Sequence, residues 1–450
     1  MSETRLKNVS TTSRELGKVS AGNCAHQEYS RTTKAWFVWG IAGLFYLYEM
    51  ILRVSPSVMT HELMRDFQVS STSLGVLASF YYYAYVALQI PCGLFVDKLG
   101  PRKIVAFSSF LCVVGTILFA ESGDLLTAQV GRFLIGAGSA CAFISCLKVT
   151  AEWFKPSQFA LIAGLTNMMG TLGATFGGRP LAMVVNAYGW RQAVFATALA
   201  GVPITLFAWL WIRDTSSNKT PSSQNINQQA SLSLSQSLKI ICLNKQIWLA
   251  GIIGGFMYLP ISAFTELWAV PFLMSSYGIN NELASTASVM LAIGMAVGSP
   301  LAAWGAEKLQ SYIKVMKLSA LVTGIIFIAI AYAEIFNLTT MFILLFSAGL
   351  TIGGQVLCFT CAKHNSEQKI SGTTMAFTNA LVMMSGIIFQ PMLGWILDLF
   401  WDGQVSVTGI RIYSHSCYQM SILAVPACLI LSWFLLKFVH ETYRESHTTN

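Results

Sequence analysis

Five ionisable side chains break otherwise apolar stretches of this chain: Glu49, Arg53, Arg132, Arg179 and Glu266. An ionisable group at the centre of a lipid-embedded helix costs at least about 2.5 to 3.5 kcal/mol on insertion scales, so it usually faces a cavity or a partner. Glu49 and Arg53 are four residues apart, on one helical face, and can pair. A carboxylate in a poorly hydrated cavity can take up and release a proton near neutral pH, which makes Glu49 or Glu266 a candidate coupling site. Alternatively, one of them binds a substrate ammonium group while Arg132 or Arg53 takes a substrate carboxylate bidentately. A zwitterion would use both signs, a polycarboxylate mainly the arginines. Blander roles compete for three of the five, helix packing being that of Arg132. Arg53 lies close to one end of its segment, where it can snorkel to the interface. Arg179 precedes Pro180 near the end of its own segment. The tyrosines Tyr81, Tyr82, Tyr83 and Tyr85 fall mid-segment and cannot all face lipid, because buried phenols need partners. Tyr82 is therefore counted with the candidate substrate and coupling residues.

Such residues must be positioned by helices that cross a bilayer. Charged residues make up 11% of the 450, against about 25% in soluble domains. Hydrocarbon about 30 Å thick takes roughly 20 apolar residues per helical span. Twelve segments qualify, at about 35–57, 74–96, 103–121, 125–147, 158–185, 191–212, 247–274, 283–305, 314–334, 338–362, 371–398 and 419–440. Backbone polar groups in lipid must be satisfied within one segment, so runs this long are helices rather than barrel strands. The expected fold is an all-α integral membrane protein. Its parts are a tail over 1–34, a six-helix bundle over 35–212, a linker over 213–246, a second six-helix bundle over 247–440 and a tail over 441–450. The linker contains the only long polar stretch inside the chain, 215–237.

A net charge of +8 would suggest nucleic acid in a soluble protein, but here its distribution reports topology. With the N-terminus inside, all sixteen lysines fall in tails, the linker, alternate connections or the span ends beside them, on one side. The positive-inside rule then places both termini in the cytoplasm. The basic N-terminal stretch has no short apolar region and cleavage site of its own, so no cleaved signal peptide is expected. Ten cysteines are scattered, and the close pair Cys358 and Cys361 reads as small residues at a helix contact rather than a redox or metal site.

Three echoes support a duplicated half. Gly93-Leu-Phe-Val-Asp97-Lys98-Leu99 aligns with Ala303-Trp-Gly-Ala-Glu307-Lys308-Leu309, Thr166-Asn167 with Thr378-Asn379, and Pro180 with Pro391, at offsets of 210, 212 and 211. The last pairing gives Arg179 a neutral counterpart, Gln390. The run from Gly93 through Asp97, Lys98, Gly100 and Arg102 to Lys103 resembles the loop signature of the major facilitator transporters, and Arg132-Phe-Leu-Ile-Gly136-Ala-Gly138 resembles that family's Arg and Gly motif. Glu152-Trp-Phe and Gly189-Trp190-Arg191 are also similar to family patterns. The resemblance implies the major facilitator fold, with twelve transmembrane helices in two pseudo-symmetric six-helix halves, and a central cavity lined by helices one, four, seven and ten. It also implies a gating latch: Asp97 meeting the start of the eleventh helix, Arg102 reaching Glu152, and a weaker copy at Glu307 and Lys308. Tyr46-Leu-Tyr48-Glu49-Met-Ile-Leu-Arg53, continued to Met59, resembles the proteobacterial phagosomal amino-acid transporters.

The expectation is therefore a monomeric secondary transporter of the bacterial inner membrane, importing a small polar solute, an amino acid, by alternating access with protons. Carboxylate siderophores, organic anions, and export of drugs or metabolites are the alternatives within the class. No GxxxxGK[ST] loop for nucleotide, HExxH pair or GxSxG elbow occurs, so ATP-driven transport and enzymatic chemistry are disfavoured, and no cofactor or metal is expected.

Overall fold

Membrane-length helices form wherever apolar runs allow the backbone to satisfy itself. In the computed structural model the described residues are 33–212, 234–406 and 409–441. Most of the expected linker and nearly all of both expected tails lie outside them, as do the side chains of Leu94, Asp97, Lys98, Pro156, Ala160, Leu234 and Gln368.

Among the described residues, eleven helices are long and apolar enough to cross a membrane. In order they are α1 (Thr33–Val58), α2 (Ser71–Gly93), α3 (Leu99–Ala120), α4 (Leu125–Trp153), α6 (Trp190–Trp211), α7 (Lys245–Tyr277), α8 (Asn281–Leu309), α9 (Tyr312–Ala331), α10 (Leu338–His364), α11 (Ser371–Leu399) and α12 (His415–Leu435). The remaining expected span, 158–185, is present as two helices, Phe159–Phe176 and Arg179–Tyr188, together called α5. Its interruption at Gly177 and Gly178 has a local cause. Pro180 cannot donate to the preceding turn, yet suits the first turn of a new helix. A Cβ on Gly177 would stand 2.4 Å from Val54 Cγ2, so the break also brings α5 close against α1.

The connections add further pieces. A short helix, Thr60–Phe67, links α1 to α2, and Leu234–Leu243 precedes α7. That second helix falls inside the expected linker and packs Ile241 against Ile247 and Ile370. At the start of α3 the helical path breaks at Gly100, whose φ of 79° only glycine adopts readily. The Gly189-Trp190-Arg191 run ties the start of α6 to its neighbours. Trp190 Nε1 donates to Asp66 at 2.8 Å, and Arg191 Nη1 to the carbonyls of Ala120 and Ser122 at 3.0 and 2.6 Å. Against partial burial, hydrogen bonds from Trp190 and Arg65 hold the Asp66 carboxyl below the usual range.

Helix α2 packs against α4 in its own half and against α11 across the halves. Cys92 of α2 is paired with Cys141 of α4, their Cα atoms 5.5 Å apart, a pairing that a separation of 49 residues hides in the sequence. Cys358 and Cys361 are buried free thiols.

Candidate functional site

A buried polar cluster forms where α1, α2, α4 and α7 meet. Glu49 and Arg53 lie one turn apart on α1, and Arg53 Nη2 donates to Glu49 Oε1 at 2.7 Å. Tyr81 of α2 completes a triangle: its hydroxyl donates to the same Glu49 oxygen and accepts from Arg53 Nε at 3.0 Å. The Arg53 guanidinium also covers the rings of Tyr81 and Tyr85, 5.3 and 5.0 Å from their centres. Arg53 is 4% exposed, so it turns inward to partners rather than snorkelling.

Arg132 of α4 sits beside this triangle for a backbone reason. Helix α1 tightens into a 3-10 turn at Ser55–Val58, carrying Pro56, which leaves carbonyls near its end without helical donors. Arg132 Nη1 donates to the Leu52 carbonyl at 2.8 Å and Nη2 to that of Arg53 at 3.5 Å, with the guanidinium 5.2 Å from the Tyr81 ring centre. The Gly136 motif position makes this approach possible: a Cβ there would lie 2.0 Å from the Tyr81 carbonyl oxygen.

Glu266 enters from the other half. It lies in a π-helical segment of α7, Pro260–Trp268, where Pro260 withholds a donor and Thr265 Oγ1 bonds the Pro260 carbonyl at 2.9 Å. The Tyr82 hydroxyl donates to Glu266 Oε2. Neighbours on α2, Tyr81 and Tyr82 point about 100° apart around the helix, so one serves a carboxylate of the first half and the other a carboxylate of the second. Gly386 of α11 leaves room for the Tyr82 ring, since a Cβ would meet it at 2.5 Å. Ser262 with Ser385 at 2.7 Å and Gln390 with the Ser262 carbonyl at 2.7 Å fasten α7 to α11.

Two carboxylates and two guanidiniums, all at least 95% buried, give the cluster a formal charge of zero. Glu49 Oε2 and Arg132 Nε are buried without a hydrogen-bond partner, so the cluster keeps one open acceptor and one open donor.

Residues outside this cluster fall in two places. Arg179 is exposed at the start of the second piece of α5. The loop motif forms the α2–α3 turn: Arg102 Nε donates to the Trp209 carbonyl at 2.9 Å and lies over its ring at 5.0 Å, and Lys103 is exposed. Glu152 pairs with Lys148 at 3.6 Å. Glu307 is exposed, and Lys308 lies over the Trp304 ring at 5.1 Å. The π-helical segment and the part of Asp398, described below, are not readable from residue types alone. Pro260, six residues before Glu266, is the one sequence signal for the former.

Comparison with known proteins gives this geometry a family. Residues 38–391 match the family model described as Major Facilitator Superfamily. The chain is 26% identical over 256 residues to the uncharacterized transporter YybO of Bacillus subtilis, covering 54% of this chain and 58% of YybO. It is 23% identical over 288 residues to the membrane sensor protein UhpC of Salmonella typhimurium, covering 60% of this chain and 63% of UhpC. The chain thus spans less than two thirds of the length of these two curated relatives. Among solved structures it is similar to a bacterial homolog of the human lysosomal transporter Spinster in an inward-facing, occupied conformation. The TM-score is 0.73 at 15% identity, over 90% of this chain and 97% of that one, which shows a common fold. A family match across most of the chain, on an all-helical architecture of this kind, makes the protein a member of the Major Facilitator Superfamily.

Proposed function

We propose that this protein is a secondary active transporter that imports a small zwitterionic solute, an amino acid, across the bacterial inner membrane by alternating access, with a proton carried at Glu266. Lysine placement supports termini in the cytoplasm. The observation that carries the reading is the Tyr82–Glu266 bond. It joins the halves through a buried carboxylate to which no guanidinium donates among the hydrogen bonds described, so gain or loss of a proton there acts directly on a contact that alternating access must break. The charge balance supports a zwitterion: two guanidiniums already offset by two carboxylates leave no excess positive charge for a polycarboxylate. The resemblance of the Tyr46 to Met59 run to phagosomal amino-acid transporters points the same way.

Counterflow in proteoliposomes tests the reading, with labelled amino acids on one side and unlabelled on the other. Exchange is expected, and Glu266→Gln is expected to keep exchange while losing accumulation driven by an inside-alkaline gradient. Accumulation by Glu266→Gln that still follows pH would remove Glu266 from the coupling role. The similarity to a membrane sensor favours a second reading, a receptor that binds a solute without moving it. Binding without counterflow would select it.

A further inference from the structure

Two Gly-x-x-x-Asp runs close the two helices that face each other across the halves. Gly93-Leu-Phe-Val-Asp97 begins at the last residue of α2, Gly394-Trp-Ile-Leu-Asp398 ends α11, and Pro91 and Pro391 precede them. The helices run antiparallel, because Thr72 meets Asp398, Gly75 meets Gln390 and Ser79 Oγ bonds the Gly386 carbonyl at 3.1 Å. Each Gly-x-x-x-Asp run therefore lies toward the other helix's N-terminus, at opposite ends of the molecule.

The two ends differ in this structure. At the Asp398 end the contact is tight. Asp398 accepts from the Thr72 backbone N–H at 2.9 Å, from Thr72 Oγ1 at 2.5 Å, from Arg411 Nη1 at 3.0 Å and from the Tyr413 hydroxyl at 2.5 Å. Tyr413 also takes the Ser71 N–H at 3.3 Å. The side chain of Ser70, at the cap position of α2, makes no capping bond, so a carboxylate from the other half takes over that duty. A Cβ on Gly394 would lie 2.3 Å from the Ser71 carbonyl oxygen, which requires glycine while this end is shut. At the opposite end, Cβ atoms on Gly93 and Gly372 would meet nothing within 4 Å.

We infer that Asp398, braced by Arg411 and Tyr413, is the latch that holds the halves together at the α2 N-terminus, and that it releases when the site opens at that end. It is the reciprocal of the Gly93 to Lys103 run, so the two Gly-x-x-x-Asp ends are engaged one at a time. The inference rests on the alternating-access reading, but its test reads access rather than uptake.

Ser288 is 3% exposed and lines a small cavity between Val54 and Ser57 of one half and Thr265 of the other. In a Ser288→Cys parent, a membrane-impermeant thiol reagent is applied to each face of sealed vesicles in turn. Asp398→Asn is expected to raise the labelling rate about tenfold, from the face opposite the Gly93 to Lys103 loop only. Arg411→Gln is expected to raise it roughly threefold from that face. Rates equal to the parent's, or a gain from the loop face, would overturn the latch. Should Asp398→Asn not elute and melt as the parent does, Arg411→Gln decides by the same criterion. Absence of counterflow would defeat the transporter reading and leave these labelling rates as they are.

Discussion

Glu49 and Glu266 are the same residue type at comparable burial, 0% and 5% exposed, and they are held in opposite ways. Glu49 is compensated inside its own half by Arg53 and Tyr81, and the same arginine spreads over two tyrosine rings. Glu266 takes its hydrogen bond from Tyr82, a side chain of the other half. A carboxylate paired within a rigid unit sets the shape of that unit, whereas one bonded across a moving boundary reports on, and acts on, the boundary. Under the alternating-access proposal, the difference gives Glu49 the part of holding its own half together and Glu266 the part of switching.

The largest effect that could break this comparison comes from Arg53→Met. It leaves Glu49 buried without its cation and should lower stability by about 3 to 5 kcal/mol, measured by thermal or denaturant unfolding in detergent. Adding Glu49→Gln should recover most of that loss, and failure to recover it would show that the pair is not a closed unit. Next in size, Tyr82→Phe and Tyr81→Phe separate the two carboxylates. Losing a donor to Glu266 should slow counterflow about tenfold, while Glu49, which keeps Arg53, should tolerate loss of Tyr81 within roughly threefold. Equal effects would erase the distinction. The smallest effect is expected for Arg179→Gln. That side chain is exposed and lies outside the cluster, so stability should stay within about 0.5 kcal/mol and counterflow should be unchanged.

Much of the site is legible as residue types. Charges and mid-segment tyrosines in apolar runs are costly enough that their presence alone marks an interior, and the i, i+4 spacing of Glu49 and Arg53 foretells their pair. Partnership across the chain is not legible. Nothing in spacing says that Arg132 caps the end of α1, that Tyr82 rather than Tyr81 meets Glu266, or that Cys92 meets Cys141. Arg179 shows the converse, a charge in an apolar neighbourhood that the helix break at Gly177 and Gly178 turns outward.

The sequence by itself determined the bilayer-spanning helical architecture, because runs of apolar residues and the self-satisfied helical backbone are local properties. It also determined the family, because the loop and Arg-Gly motifs are local words. Only the tertiary structure decided which carboxylate is closed within one half, which bridges two, and that the Asp398 end of the α2–α11 contact is shut. Those facts depend on antiparallel helices far apart in the chain meeting at glycines, and on a π-helical segment in α7 carrying Glu266 toward Tyr82.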